Sequence, residues 1–506
     1  MARFSAAFSG FRRKAPLAAA LVAAACTVGP DFKPPEKPAE QSYTPAGAAE
    51  KTAGDQHFAL GQKITGDWWT LYRSEPLTSV LEQAVAGNRT LVAAKATLAA
   101  ALEQVNVARG GLYPQVDLGA NATRQRNNGT QLGLKTLPAQ FPPYFNLFRV
   151  GPTVNYALDV FGGTERTIEQ SEALADVQDY QLDAAYLTLT GNAVIQALTI
   201  AALRAQIATV EGIIADDQRN LDLVRTEVRA GVATQLDIET ATSQLASDRT
   251  LLAPLRQQLS VARHALAVLV GKAPSDWVPP DFDLDKITLP AELPLSLPSE
   301  LVRQRPDLLA AEAQLHAASA AIGVATAQLY PKINLSAALT QQAISLDTLF
   351  HGASNIWSIS GGLTTPIFHG GELQAEKRFT EDQFNATLAT YEQTVLEAFG
   401  QVADVLEALG HDAELLAEQQ NALKAAESSL NLTRRSYSIG NVGILNVLDA
   451  QRLVERARLG YVQAKAQRYL DTAQLFVAMG GGWWDWRDRG TATPAPTITP
   501  ILAPAR

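Results

Sequence analysis

Cys26 is the only cysteine in the 506 residues, so no disulfide framework holds this chain together. Proline is missing between Gly163 and Pro254 and again between Gly371 and Pro494, which removes the strongest interrupter of helix from two very long stretches. Aromatic residues make up only 7%, while Ala, Leu and Gln dominate and charges alternate in sign, a balance that suits long helices. Positive charge is scarce: 42 Lys and Arg face 51 Asp and Glu, for a net charge of -9. Four of the cations (Arg3, Arg12, Arg13, Lys14) lie at the amino terminus, and without them the balance is about -13, which argues against a nucleic-acid partner. Catalytic motifs are lacking too. The six histidines are scattered, with no His-Glu-x-x-His and no Gly-x-Ser-x-Gly, and Gly271-Lys272 has neither the upstream glycine nor the following Ser or Thr of a phosphate loop. His264 and His316 fall in helical patterns as packing or surface positions. No enzyme activity, cofactor or metal is expected.

What is present begins with a leader. A basic start, a short apolar run from Ala15 to Ala25 and small residues up to Cys26 form the pattern of a cleaved export signal, far short of the roughly 20 residues of a spanning helix. Cys26 after Ala23-Ala24-Ala25 resembles a bacterial lipobox, with Ala23 where Leu is usual, and Thr27 rather than Asp after it resembles lipoproteins sorted to the outer membrane. Asp31 to about Gly66 is rich in Pro, Ala, Glu and Gly without periodicity, and reads as an extended tether along the surface.

The body contains one pattern twice. Leu112-Tyr113-Pro114-Gln115-Val116-Asp117-Leu118 and Leu329-Tyr330-Pro331-Lys332-Ile333-Asn334-Leu335 each end an Ala-rich helix and begin a strand, because proline cannot continue the helix. Thr90 matches Asp307, Leu98 matches Leu315 and Ala120 matches Ala337 at the same offset, so the chain reads as an internal duplication. After each hinge come alternating segments. Val116, Leu118, Ala120 and Ala122 oppose Gln115, Asp117, Asn121 and Thr123, and segments near 149–159, 333–340 and 357–364 alternate in the same way. Their length and pattern fit tilted membrane strands of ~9–11 residues with an apolar outer face. A half-exposed soluble sheet shows the same alternation.

Long helices follow. Ile207, Val210, Ile214, Leu221, Val224 and Val228 keep a 3-4 spacing that Asp217 breaks once, and Leu245, Leu252, Leu255, Leu259, Leu266 and Leu269 keep it on the return. A helix from Thr164 to Arg229 would be about 100 Å long at 1.5 Å per residue. Turns are expected at Ala230-Gly231-Val232 and Ile439-Gly440-Asn441, with Gly271 and Gly480 at the far ends. Four strands cannot close a barrel, and bare edges in lipid cost several kcal/mol per unpaired group, so membrane strands would require several copies to share one barrel.

Trp68-Trp69-Thr70-Leu71-Tyr72, the run from Arg303 to Glu312 (RQRPDLLAAE), that from Ile367 to Leu373 (IFHGGEL), that from Thr394 to Asp404 (TVLEAFGQVAD) and that from Val447 to Arg452 (VLDAQR) together resemble the TolC-like outer-membrane factors. More narrowly they resemble the NodT-type lipoproteins that serve resistance-nodulation-division efflux systems. The similarity covers nearly all of the mature chain. It implies a mainly α fold with a small antiparallel β part, two internal repeats, and a homotrimer. In that homotrimer an outer-membrane β-barrel, four strands per chain, continues into a long α-helical periplasmic barrel.

The implied segments are a signal peptide (1–25), a lipid-anchored tether (26–66), equatorial and upper helices (67–113), a first β-hairpin (114–161) and a first long helical hairpin (162–271). An equatorial linker (272–305), a second helix (306–330), a second β-hairpin (331–368), a second helical hairpin (369–482) and a disordered tail (483–506) complete it. The implied function is the exit duct of a tripartite efflux pump for drugs, toxic compounds or metal ions, working with a periplasmic adaptor, an inner-membrane pump and outer-membrane lipid. Cys26 would carry the lipid. The family's gate bond between a Tyr on one helix tip and an Asp on the other falls on Tyr437 and Asp237, and its acidic ring falls on Asp449, with Asn446 at a second acidic position. Gly231, Val232, Gly440 and Asn441 would meet the adaptor. A duct for a type I protein secretion system and a coiled-coil scaffold of the cell surface are the alternative readings.

Overall fold

The computed structural model describes residues 27–45, 52–126 and 144–484. The leader with Cys26, the middle of the first outer loop (127–143) and the tail from 485 lie outside the described residues. In order the chain runs β1 (Thr52–Ala53), β2 (Gln56–Leu60), α1 (Glu75–Gly87), α2 (Arg89–Gly110), β3 (Gln115–Arg126), β4 (Tyr144–Leu158), α3 (Gly163–Arg229), α4 (Gln235–Arg249) and α5 (Leu252–Leu269). Then come β5 (Glu292–Leu295), α6 (Pro298–Leu301), α7 (Pro306–Ala327), β6 (Lys332–Ala343), β7 (Asn355–Thr364), α8 (Glu372–Ser438) and α9 (Ile444–Ala478). The structure is thus mainly helical with a small antiparallel sheet.

Two units can be distinguished. One comprises 27–35, Leu98–Gln178 and Ala311–Tyr391. Its sheet has the order β3-β4-β6-β7, antiparallel throughout, so the strands follow one another as a meander. The alternation in sequence places Val116 and Leu118 of β3 on the same side, and Trp357, Ile359 and Leu363 of β7 likewise. These side chains are 66–78% exposed. Ser336 and Ser360 meet across β6 and β7 at 2.8 Å between hydroxyls. The extended segment after Cys26 is fastened here: Val28 N–H donates to Phe161 O (3.1 Å), Arg166 donates to Asp31 (2.8 Å), and Phe32 stacks on His316 at 4.5 Å.

The other unit comprises 36–45, 52–97, Asp179–Ala310 and the described residues from Glu392. Trp68 and Tyr72, in a short 3-10 helix (Trp68–Tyr72), are fully buried, and Trp68 stacks on Phe476 at 5.0 Å. The Trp68–Tyr72 motif is therefore a core plug. The tether expected over 26–66 is not wholly unstructured. Gln56–Leu60 is a strand paired in parallel with β5, and buried Gln56 donates to Pro290 O at 2.8 Å. Trp483, placed by the sequence in the expected tail, is half-buried and donates to Gln304 O at 2.6 Å.

The return arm of the first hairpin is two helices, with Thr250 and Leu251 between them. Pro254 explains the break: it has no N–H for a bond to residue 250 and its ring would crowd that carbonyl, so it is tolerated only in the first turn of α5. Arg305, only 8% exposed, grips Asp307 with Nε (3.0 Å) and Nη2 (2.7 Å) and donates to Ala478 O (3.0 Å) and Gln401 (2.9 Å). The motif around Arg305-Pro306-Asp307 is thus a clamp between distant helices.

Candidate functional site

The candidate site lies where α3 turns into α4 and α8 turns into α9. Both long helices stop in the same manner. Gly231 and Gly440 adopt φ of +74° and +78°, a region that side-chain-bearing residues seldom enter. Around the first, Gly231 N–H donates to Val228 O (3.1 Å) and Val232 N–H to Glu227 O (3.0 Å). Around the second, Gly440 N–H donates to Tyr437 O and Asn441 N–H to Ser436 O, both at 2.9 Å. These paired bonds consume the last carbonyls of each helix and reverse the chain. The four residues expected to meet a partner therefore act first as helix stops, and Val232 is left 74% exposed.

Behind the turns is an apolar core. Leu221 and Val224 of α3, Leu245 of α4, Leu430 of α8, and Ile444 and Val447 of α9 are all buried in one cluster. Each such side chain contributes about 1.5–3 kcal/mol by leaving water. This core fixes where the polar side chains of the two turns can reach.

Asp237 and Tyr437 are brought to this region but are not bonded to each other. The Asp237 carboxylate closes a capping box at the start of α4, accepting from Thr234 N–H (2.7 Å) and Thr234 Oγ1 (2.8 Å). The Tyr437 hydroxyl instead donates to Glu227 of α3. The physical reason is that Asp237, third residue of its helix, is already committed to the Thr234 N–H and hydroxyl, whereas Glu227 has a longer arm. Burial, the bond to Glu227 and its negative charge, and the charge of Asp237 push the Tyr437 hydroxyl up to about 12.

Asn446 stands at the corresponding third position of α9, its N–H donating to Gly443 O at 3.1 Å. Asp449 is 67% exposed at its side chain and pairs with Arg452, one turn on, at 2.6 Å. Sequence reasoning missed Glu227, which looked like any acid on a charged helix face. It also missed Asp248 and Glu455, which join Asp217 in the group of acids with metal-ligand spacing found among the described residues.

The outer membrane efflux protein family matches residues 80–272 and 297–481. The chain belongs to that family. This efflux protein is 30% identical over 431 residues to the pyoverdine export outer membrane protein OpmQ of Pseudomonas aeruginosa, covering 85% of this chain and 90% of OpmQ. It is 27% identical over 476 residues to the probable efflux pump outer membrane protein TtgC of Pseudomonas putida, covering 92% and 94%. Its structure resembles the outer-membrane channel OprN with a TM-score of 0.82 and 26% identity, over 90% of this chain and all of that one. The efflux protein is thus the outer-membrane component of an efflux pump, extending into the periplasm, and its family is one of transport channels.

Proposed function

We propose that three copies of the chain form one exit duct, a twelve-stranded barrel in the outer membrane continued by helical hairpins in the periplasm. The observation that carries this reading is the four-stranded sheet. Its outer strands β3 and β7 have no neighbour on their far sides among the described residues. Its apolar side chains are turned out, with Leu118 and Ile359 both 78% exposed. Lipid welcomes those side chains and forbids those edges, and both conditions are met when copies pair β3 of one with β7 of the next. The recurrence of the order helix, strand, strand, 67-residue helix in each half supports the duplication read from the sequence.

At the periplasmic end the two turns form the gate. The Tyr437–Glu227 bond ties α8 to α3, while Asp449, with Asn446 beside it, borders the narrow neck. Gly231, Val232, Gly440 and Asn441 present the turns to a periplasmic adaptor, which couples the duct to an inner-membrane pump. Drugs, toxic compounds or metal ions, chosen by the pump, pass through. Cys26 anchors the chain through a lipid.

Three measurements test this. Purified protein in detergent should run as a compact oligomer until boiled, and should conduct ions across planar bilayers. A deletion strain should become sensitive to exported compounds and be rescued by the wild-type chain. A monomer that conducts nothing and whose loss changes no susceptibility would end the reading.

A further inference from the structure

Asp217 of α3, Asp248 of α4 and Glu455 of α9 point carboxylate oxygens at one another, all within 4.8 Å. Asp217 is 4% exposed and Glu455 7%. Asp217 Oδ2 and Glu455 Oε1 have no hydrogen-bond partner, although both are shut off from water. Asp248 accepts from Gln244 at 2.7 Å, and no lysine or arginine among the described residues pairs with any of the three. Asp216, whose charge also acts on Glu455, pairs with Arg219 on its own helix. Burial first, then the neighbouring carboxyls, push Asp217 up to about 8 and Glu455 up to about 7.

We propose that Asp217, Asp248 and Glu455 form a divalent-cation site that ties α9 to α3 and α4. Three carboxylates cannot share a buried space as anions unless something positive lies between them, and orphaned oxygens on two of them are open ligand positions. All-oxygen ligation selects a hard cation such as calcium, magnesium or manganese over zinc or copper. Calcium, which accepts carboxylate oxygens in flexible geometry, is the probe with which such a site is tested.

The site joins the first helical hairpin to the second. Asp217 lies almost four turns before Gly231 and Glu455 about three turns into α9. A bound ion therefore opposes separation of the hairpins, and protons compete with it for the same oxygens. The inference does not rest on the duct reading, since binding is measured whether or not the protein conducts.

The test is calorimetric titration of full-length protein in detergent, stripped with EDTA, with calcium chloride near pH 8. One site per chain is expected, with half-saturation at about 0.1–1 mM, as in extracellular calcium modules. The measured heat should change with the ionisation enthalpy of the buffer, because protons leave the carboxyls. Asp217→Asn and Glu455→Gln should lose the binding, and Asp449→Asn should keep it. Both cluster variants remove a like charge, so in EDTA they should melt at or above the wild-type temperature while losing the upward shift that calcium gives the wild type. If a variant fails to fold, the wild-type stoichiometry and proton release decide alone. No saturable binding, unaltered binding in folded Asp217→Asn, loss only in Asp449→Asn, or stabilisation by acid without any response to calcium would each overturn the proposal.

Discussion

Replacing Tyr437 by Phe removes one hydroxyl and nothing else, and so isolates the bond to Glu227 that ties α8 to α3. A hydrogen bond to a charged group contributes about 1.5–3 kcal/mol, and the lower end applies because both side chains are only half-buried and water can take the vacant place. About 1.4 kcal/mol per chain is a tenfold shift toward the open tip, and about a thousandfold if three chains move together. Single-channel recording in planar bilayers reads this as open probability. Tyr437→Phe and Glu227→Ala should each raise it, and the double variant should do little more, whereas Asp237→Ala should add independently through the lost cap of α4, worth about 0.5–2 kcal/mol. Because the Tyr437 hydroxyl is displaced upward, the bond is fully present below its ordinary value of about 10 and is lost only as pH rises through about 12. Gating between about pH 6 and 9 should therefore not depend on this residue's ionisation. Full additivity of Tyr437→Phe with Glu227→Ala, together with strong coupling to Asp237→Ala, would refute the assignment.

Gly271→Ala should sharply lower the yield of heat-modifiable oligomer, since its φ is +78° and an added Cβ would sit 2.1 Å from Gly87 O. Gly212→Ala, with nothing within 4 Å and a place inside α3, should instead be neutral or raise stability by up to ~1 kcal/mol. Arg305→Met should lower the midpoint of thermal loss of helix, at a cost of about 2–3 kcal/mol, less than for a fully buried pair because the Asp307 side chain is 42% exposed. Cys26→Ser should abolish incorporation of labelled palmitate and leave oligomers able to form, as read by labelling and gel mobility.

The strands were legible because alternation is written in the residues themselves, as in Val116, Leu118 and Ala120. The long helices were legible because proline is missing and the glycines at 231, 271, 440 and 480 mark their stops. Less local features were not. Gln56–Leu60 is five residues long and its partner strand is Glu292–Leu295, so neither stretch carries enough pattern alone. The split between α4 and α5 had its sign in Pro254, but a proline in a first turn and one that ends a helix look alike before the backbone is seen. Asp217 was visible as a fault in the 3-4 spacing, yet its meaning depends on Asp248 and Glu455, which only packing brings near. The same holds for Tyr437: the residue was found, but its bonding partner is decided by which carboxylate the helix cap has already used.

The bare margins of the β3-β4-β6-β7 sheet matter before assembly as well as after it. A newly exported chain crosses the periplasm carrying greasy strands whose backbone groups are ready to pair with any passing polypeptide. In the proposed assembly, the pairing of β3 with β7 of the next copy therefore closes the wall and at the same time retires a surface that would otherwise recruit foreign chains.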